Sequence, residues 1–207
     1  MSGTRIVLLL GSYDTETKHV LETIKEEIAK RFQGRVLIAL LDNLDIYVAN
    51  DLHVLTEIFG KNRISIIVYE EKESNLSEIY DIDIMDNPDE TVLNFLREKY
   101  GIDTLEKYPI FKKFDTLMQL AIEIFLVRHR EETRGGEYAE LMHAIFQRHS
   151  DKIWFFKKES IRLSDMLMEY LDRFRVKLRP YADSSELLNE ISRILEYALH
   201  QSLDLFY

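Results

Sequence analysis

The sequence predicts a doubly wound α/β fold, a mostly parallel sheet of about five strands with helices on both faces. Three observations carry this. Short apolar runs rich in β-branched residues and leucine recur without polar alternation, as strands buried on both faces require. Between them lie segments whose apolar residues recur at spacings of three and four, the period of an amphipathic helix. The composition also suits a packed core: 207 residues, 46% apolar, with only seven glycines and three prolines, which excludes collagenous, linker-rich and disordered chains.

Taken in order, Arg5 to Leu10 reads as a central strand stopped by Gly11-Ser12. Val20, Leu21, Ile24, Ile28 and Phe32 then mark a helix from Asp14 that ends near Arg31, with Gly34 just beyond it. Arg35 to Leu41 and Ile64 to Tyr69 repeat the strand signal. Asn50 to Phe59 between them fits a helix packing through Leu52, Leu55 and Ile58. From Glu70 to Glu90 nine acids face one base, Lys72, and the segment reads as a solvated insertion. Helices are expected from Asp89 to Tyr100 and around Tyr108 to Leu117, before a strand at Ala121 to Val127. A helix over Gly136 to His149, a strand at Lys152 to Phe156, a helix over Leu163 to Phe174 and a short strand near Val176 to Leu178 follow. Asp183-Ser-Ser-Glu186 is a helix-start box for a last helix reaching about Leu203. The expected architecture is a single flavodoxin-like domain over 1-207 with an acidic and helical insertion at 70-118. Its parallel strands begin near Arg5, Arg35, Ile64, Ala121 and Lys152.

The chain has no cysteine, which excludes a disulfide scaffold, a zinc ribbon and a thiol nucleophile. A net charge of -10 opposes extended nucleic acid but leaves room for a local site that binds one phosphate. The early apolar run, Ile6 to Leu10, is far below the ~20 residues of a membrane span, so a cytoplasmic protein without membrane contact is expected.

In doubly wound folds ligands bind at the carboxyl ends of the strands. The informative window is therefore Arg128-His-Arg-Glu-Glu-Thr-Arg-Gly-Gly-Glu-Tyr-Ala-Glu-Leu-Met-His-Ala144, where a strand ends in a polar loop, a glycine pair and a helix. Arg128, Arg130 and Arg134 cluster there in an otherwise acidic chain, and their planar donors beside a helix amino terminus suit a phosphorylated nucleotide. The competing reading has them pair with Glu131, Glu132 and Glu137. Lys157 and Lys158, after the next strand, either extend the patch or solubilise it.

The order of this window resembles the nucleoside 2-deoxyribosyltransferase-like family and the related TIR-type NAD-cleaving domains. There a strand and a variable loop are followed by a glycine and, four residues later, a catalytic glutamate in the first helical turn. Gly136, Glu140-Leu141 and Ala144 match that pattern; Glu137 departs from it, standing where the family has Ser or Thr. Leu8-Leu-Leu-Gly-Ser-Tyr13 is similar to the family's opening strand and aromatic loop, and the chain from Ile153 to Leu187 is similar to its close. The resemblance implies cleavage or exchange of the N-glycosidic bond of a nucleoside, nucleotide or NAD. Glu140 would be the catalytic carboxylate, and Gly11, Ser12, Tyr13 and Gly136 would contact substrate. It also implies a homo-oligomer, since a second subunit completes the site in that family. A carboxylate facing an anomeric carbon stabilises an oxocarbenium-like state or forms a covalent sugar adduct, which is the physical case for Glu140. Glu137 remains its competitor.

Two other classes stay open. One keeps the fold without the chemistry, as a nucleotide-sensing or protein-interaction module. The other is a flavodoxin-like flavin carrier, weakened because Asp14 and Glu16 would face the flavin phosphate. No cofactor and no metal are expected: the two Glu-x-x-His units, at Glu16 and Glu140, lack a four-helix bundle, and Asp81 to Asp86 lacks the glycine of a calcium loop.

Overall fold

The computed structural model describes residues 4–12, 14–41, 44–49, 52–59, 63–70, 75–83, 88–101, 106–107, 110–131 and 135–204, with side chains described outside 42–89, 100, 102–110, 112–113 and 202–204. In chain order the elements are β1 (Arg5–Gly11), α1 (Thr15–Phe32), β2 (Val36–Leu40), β3 (Leu44–Ala49), β4 (Leu52–Phe59), β5 (Arg63–Glu70), β6 (Asn75–Asp83), α2 (Pro88–Tyr100), β7 (Glu106–Lys107), α3 (Ile110–Leu120), β8 (Ala121–Arg128), α4 (Gly136–Phe146), β9 (Ile153–Lys158), α5 (Asp165–Arg173), β10 (Lys177–Tyr181) and α6 (Ser184–Asp204). They fall into two compact units, one of residues 1–38 with 121–207, the other of 39–120.

The first unit is a doubly wound α/β fold of flavodoxin-like type. Its sheet has five parallel strands in the order β10-β9-β8-β1-β2, flanked by helices. Every residue of β1 from Ile6 to Gly11 is buried, and so is all of β2, as strands covered on both faces must be. Helix α1 buries the predicted stripe Val20, Leu21, Ile24, Ile28 and Phe32. It ends at Gln33 in the left-handed region, with Gly34 at φ 79°. α1 also packs against α6, while α4 lies on β1 and β8. β10 is an edge strand that pairs only with β9, and this admits Pro180, whose missing N–H would break a central ladder.

The second unit contains an antiparallel sheet in the order β6-β5-β4-β3-β7. Three expectations change here. The strand beginning near Ile64 is not in the parallel sheet: as β5 it pairs antiparallel with β4 and β6, and β10 supplies the fifth parallel strand. Asn50 to Phe59 is not a helix; Leu52–Phe59 forms β4, bonded to β3 and β5 on its two sides. Its leucines do match a helical period. Ladders on both edges outweigh that local preference, as they commonly do for short apolar runs. Within the acidic segment Asn75–Asp83 is a strand, so the separate unit runs wider than 70-118 and takes in β3 to β5.

Candidate functional site

The sheet order reverses between β1 and β8: the chain leaves β1 toward β2, and leaves β8 toward β9 and β10. The crevice beyond the carboxyl ends of these two strands is where ligands bind in such sheets. It is bordered by Gly11 at the end of β1 and Ser12 and Asp14 after it, by Arg128, His129 and Arg130 at and after the end of β8, and by the first turn of α4. Tyr13 and Arg134, both expected in the site, lie outside the described residues.

Gly11 has a packing reason to be glycine. A Cβ there would sit 2.8 Å from the Val127 carbonyl oxygen and 3.2 Å from Leu21 Cδ1, where β1, β8 and α1 converge. Asp14 caps α1, accepting from the Glu16 and Thr17 N–H groups and from the Thr17 hydroxyl at 2.7 Å. Burial pushes its pKa up, but the hydrogen bonds from Thr17 and Ser12 and the Arg130 charge outweigh that and hold it below the usual aspartate value.

Arg128 and Arg130 point to different partners. Arg128 is buried; its Nη2 donates to the Glu131 carbonyl at 2.9 Å, and its guanidinium lies 4.8 Å from the centroid of Tyr138. Its Nε and Nη1 have no hydrogen-bond partner among the described residues. Arg130 is half-exposed and reaches α1 instead, with Nη1 3.8 Å from Asp14 and Nε 3.7 Å from Glu16. Among the described residues its acid partners are therefore on α1, not the nearby Glu131 or Glu137. Lys157 turns back to donate to the Ile161 carbonyl at 2.8 Å.

Helix α4 starts from Gly135 in the left-handed region (φ 81°), and among the described residues no side chain caps it. At Gly136 a Cβ would meet nothing within 4 Å. Glu137 is 2% exposed, and neither carboxylate oxygen has a hydrogen-bond partner among the described residues. Glu140, one turn on, is half-buried. The two competing carboxylates thus differ in access by degree: Glu137 is enclosed at both oxygens, whereas Glu140 is half-buried, with its Oε2 shielded from solvent.

The sequence reading missed a relay beside these groups that joins the buried His129 and Tyr181 to the exposed Glu16. His129 Nδ1 lies 2.9 Å from the Tyr181 hydroxyl, and its Nε2 3.4 Å from Glu16 Oε1. A carboxylate facing Nε2 favours the proton on that nitrogen, which leaves Nδ1 as an acceptor for the Tyr181 hydroxyl at 2.9 Å, with the Arg128 carbonyl a second, longer acceptor at 3.4 Å. Burial, with the Lys158 charge, lowers the His129 pKa below the ordinary histidine value, while Glu16 and Asp14 oppose the shift. Burial also carries the Tyr181 hydroxyl well above its ordinary value, keeping it a neutral donor. The only sequence signal was position: His129 follows β8 and Tyr181 ends β10.

Among the described residues no cluster of three or more metal-ligating side chains occurs, and no helix is long and apolar enough to cross a membrane. No family model matches the chain, and no curated protein or solved structure matches it.

Proposed function

We propose that the protein cleaves or exchanges the N-glycosidic bond of a nucleotide, NAD included, at the crevice between β1 and β8, with Glu140 as the carboxylate that meets the anomeric carbon. The observation that carries this reading is the first turn of α4 at the switch point. It combines a helix amino terminus that starts from a glycine and has no side-chain cap among the described residues, a buried arginine with two donors unpartnered among those residues, and a glutamate that is half-buried. An uncapped amino terminus beside Arg128 favours a phosphate, whose negative charge both the N–H groups and the guanidinium stabilise. Glu140 is preferred over Glu137 because only one of its carboxylate oxygens, Oε2, is buried, whereas Glu137 is enclosed at both. In the reaction the bond between the anomeric carbon and the base nitrogen breaks, and its electron pair leaves with the base. From NAD the nicotinamide departs neutral and needs no proton. Glu140 stabilises the oxocarbenium-like state or forms an ester at the anomeric carbon, which water or an acceptor then displaces. A flavin phosphate in the loop after β1 is disfavoured, because the Asp14 carboxylate already takes the N–H groups of the α1 terminus.

The test is base release. Nucleosides, nucleotides and NAD are incubated with the protein and the products separated by chromatography. Release from a phosphorylated substrate, lost in Glu140→Gln with binding retained, is the expected result. A parent protein that binds nucleotides in calorimetry but releases no base would make it a nucleotide-sensing module instead.

A further inference from the structure

We propose a second ligand site at the opposite end of the parallel sheet, a cavity of about 720 Å³ under α6 that takes a small amphipathic organic anion, a carboxylate with an aromatic or aliphatic body. It lies against the amino ends of β8, β9 and β10. Glu123 in β8 and His129, the residue that follows the strand, are six positions apart, so the cavity is roughly 20 Å from the crevice described above. The volume is that of sites for drug-sized molecules, and Ile122, Ile194, Ala198 and the ring of Tyr197 give it apolar walls.

The charge of the ligand follows from Trp154. Its indole N–H donates to Glu123 Oε2 at 2.8 Å, which fixes the ring. Lys177, directly opposite in the strand register, holds its ammonium 4.4 Å from the ring centroid, and the Arg179 guanidinium lies 5.4 Å from it. Two cations therefore share one aromatic ring in a chain of net charge -10, and among the described residues neither makes an ion pair. Glu123, which lines the same cavity, is committed to the indole; burial pushes its pKa upward while the Trp154 hydrogen bond and the Lys177 charge oppose the rise, so one partly buried carboxylate faces two cations. Arg193, on the far wall, is already paired with Glu190 at 2.7 Å. An incoming carboxylate would relieve the repulsion between Lys177 and Arg179, and its apolar body would cover the exposed side of Tyr197.

The site carries its own reporter, since Trp154 is the one tryptophan of the chain. The experiment titrates the full-length protein with 4-phenylbutyrate and with octanoate, followed by tryptophan emission and calorimetry, with 4-phenylbutyramide as the neutral control. Expected are a saturable change in Trp154 emission with at least one of the two acids, binding at least about tenfold weaker for the amide, and a loss of similar size in Lys177→Gln/Arg179→Gln. Arg128→Gln should bind as the parent does. The proposal is overturned if neither acid binds, if the amide binds as well as the acid, if the double variant is unaffected, or if Arg128→Gln abolishes the signal.

Discussion

Glu137 is the residue whose energetics most directly oppose stability. A carboxylate taken almost wholly out of water, with neither oxygen hydrogen-bonded among the described residues, costs free energy that the fold recovers elsewhere. Glu137→Met keeps the volume and removes the polar atoms, and should raise stability by about 1–3 kcal/mol, read as a higher denaturation midpoint. A lower midpoint would mean that the carboxylate makes a stabilising interaction with residues beyond those described. His129 offers a test by pH. A free histidine titrates near 6.5, and folded His129 accepts its proton only at lower pH. Between those two values the unfolded chain holds a proton that the folded chain lacks, so stability is full above the window and falls as pH is lowered through it. Melting temperature should therefore drop as pH is lowered below about 6.5, and His129→Gln should flatten the slope. An unchanged slope in the variant would assign the acid sensitivity to other groups.

At the scale of elements, α1 and α4 meet the crevice with opposite terminal chemistry: Asp14 closes the first helix, while Gly135 leaves the second without a side-chain cap. Asp14→Ala should cost about 1 kcal/mol from the lost cap, and should also release Arg130 from one of its two acids. Phosphate affinity at the crevice should then rise while the melting temperature falls, a divergence that calorimetry and thermal denaturation together would detect. The elements of the first unit were legible because their signals were redundant. β1 and β2 are unbroken apolar runs, and α1 carries both a cap and a full apolar stripe. β4 was not legible, since Leu52, Leu55 and Ile58 suit a helix as well as Leu52, Val54 and Ile58 suit a strand, and only the pairing with β3 and β5 decides. The motif around Gly136 and Glu140 could be read because its residues are neighbours in sequence. The His129, Tyr181 and Glu16 relay could not, because the sheet order joins residues far apart in the chain, His129 and Tyr181 being separated by 52 positions.

For the whole molecule the consequential feature is the division into two compact units with separate sheets, the parallel one carrying every described residue of the crevice and of the second cavity. One long α/β pattern does not disclose such a division, because β3 to β5 supply the same apolar runs that a parallel sheet would. Chains of this kind depart from two-state unfolding when each unit holds its own core. Scanning calorimetry should therefore give a calorimetric enthalpy larger than the van 't Hoff enthalpy, from two overlapping transitions. A ligand that binds only the native first unit stabilises that unit by mass action and leaves the other transition where it was. Saturating ADP-ribose should accordingly move one transition upward and separate the two. A single transition with equal enthalpies, displaced as a whole by the ligand, would show instead that the 39–120 unit unfolds together with the parallel sheet, and that occupancy of the crevice is felt throughout the chain.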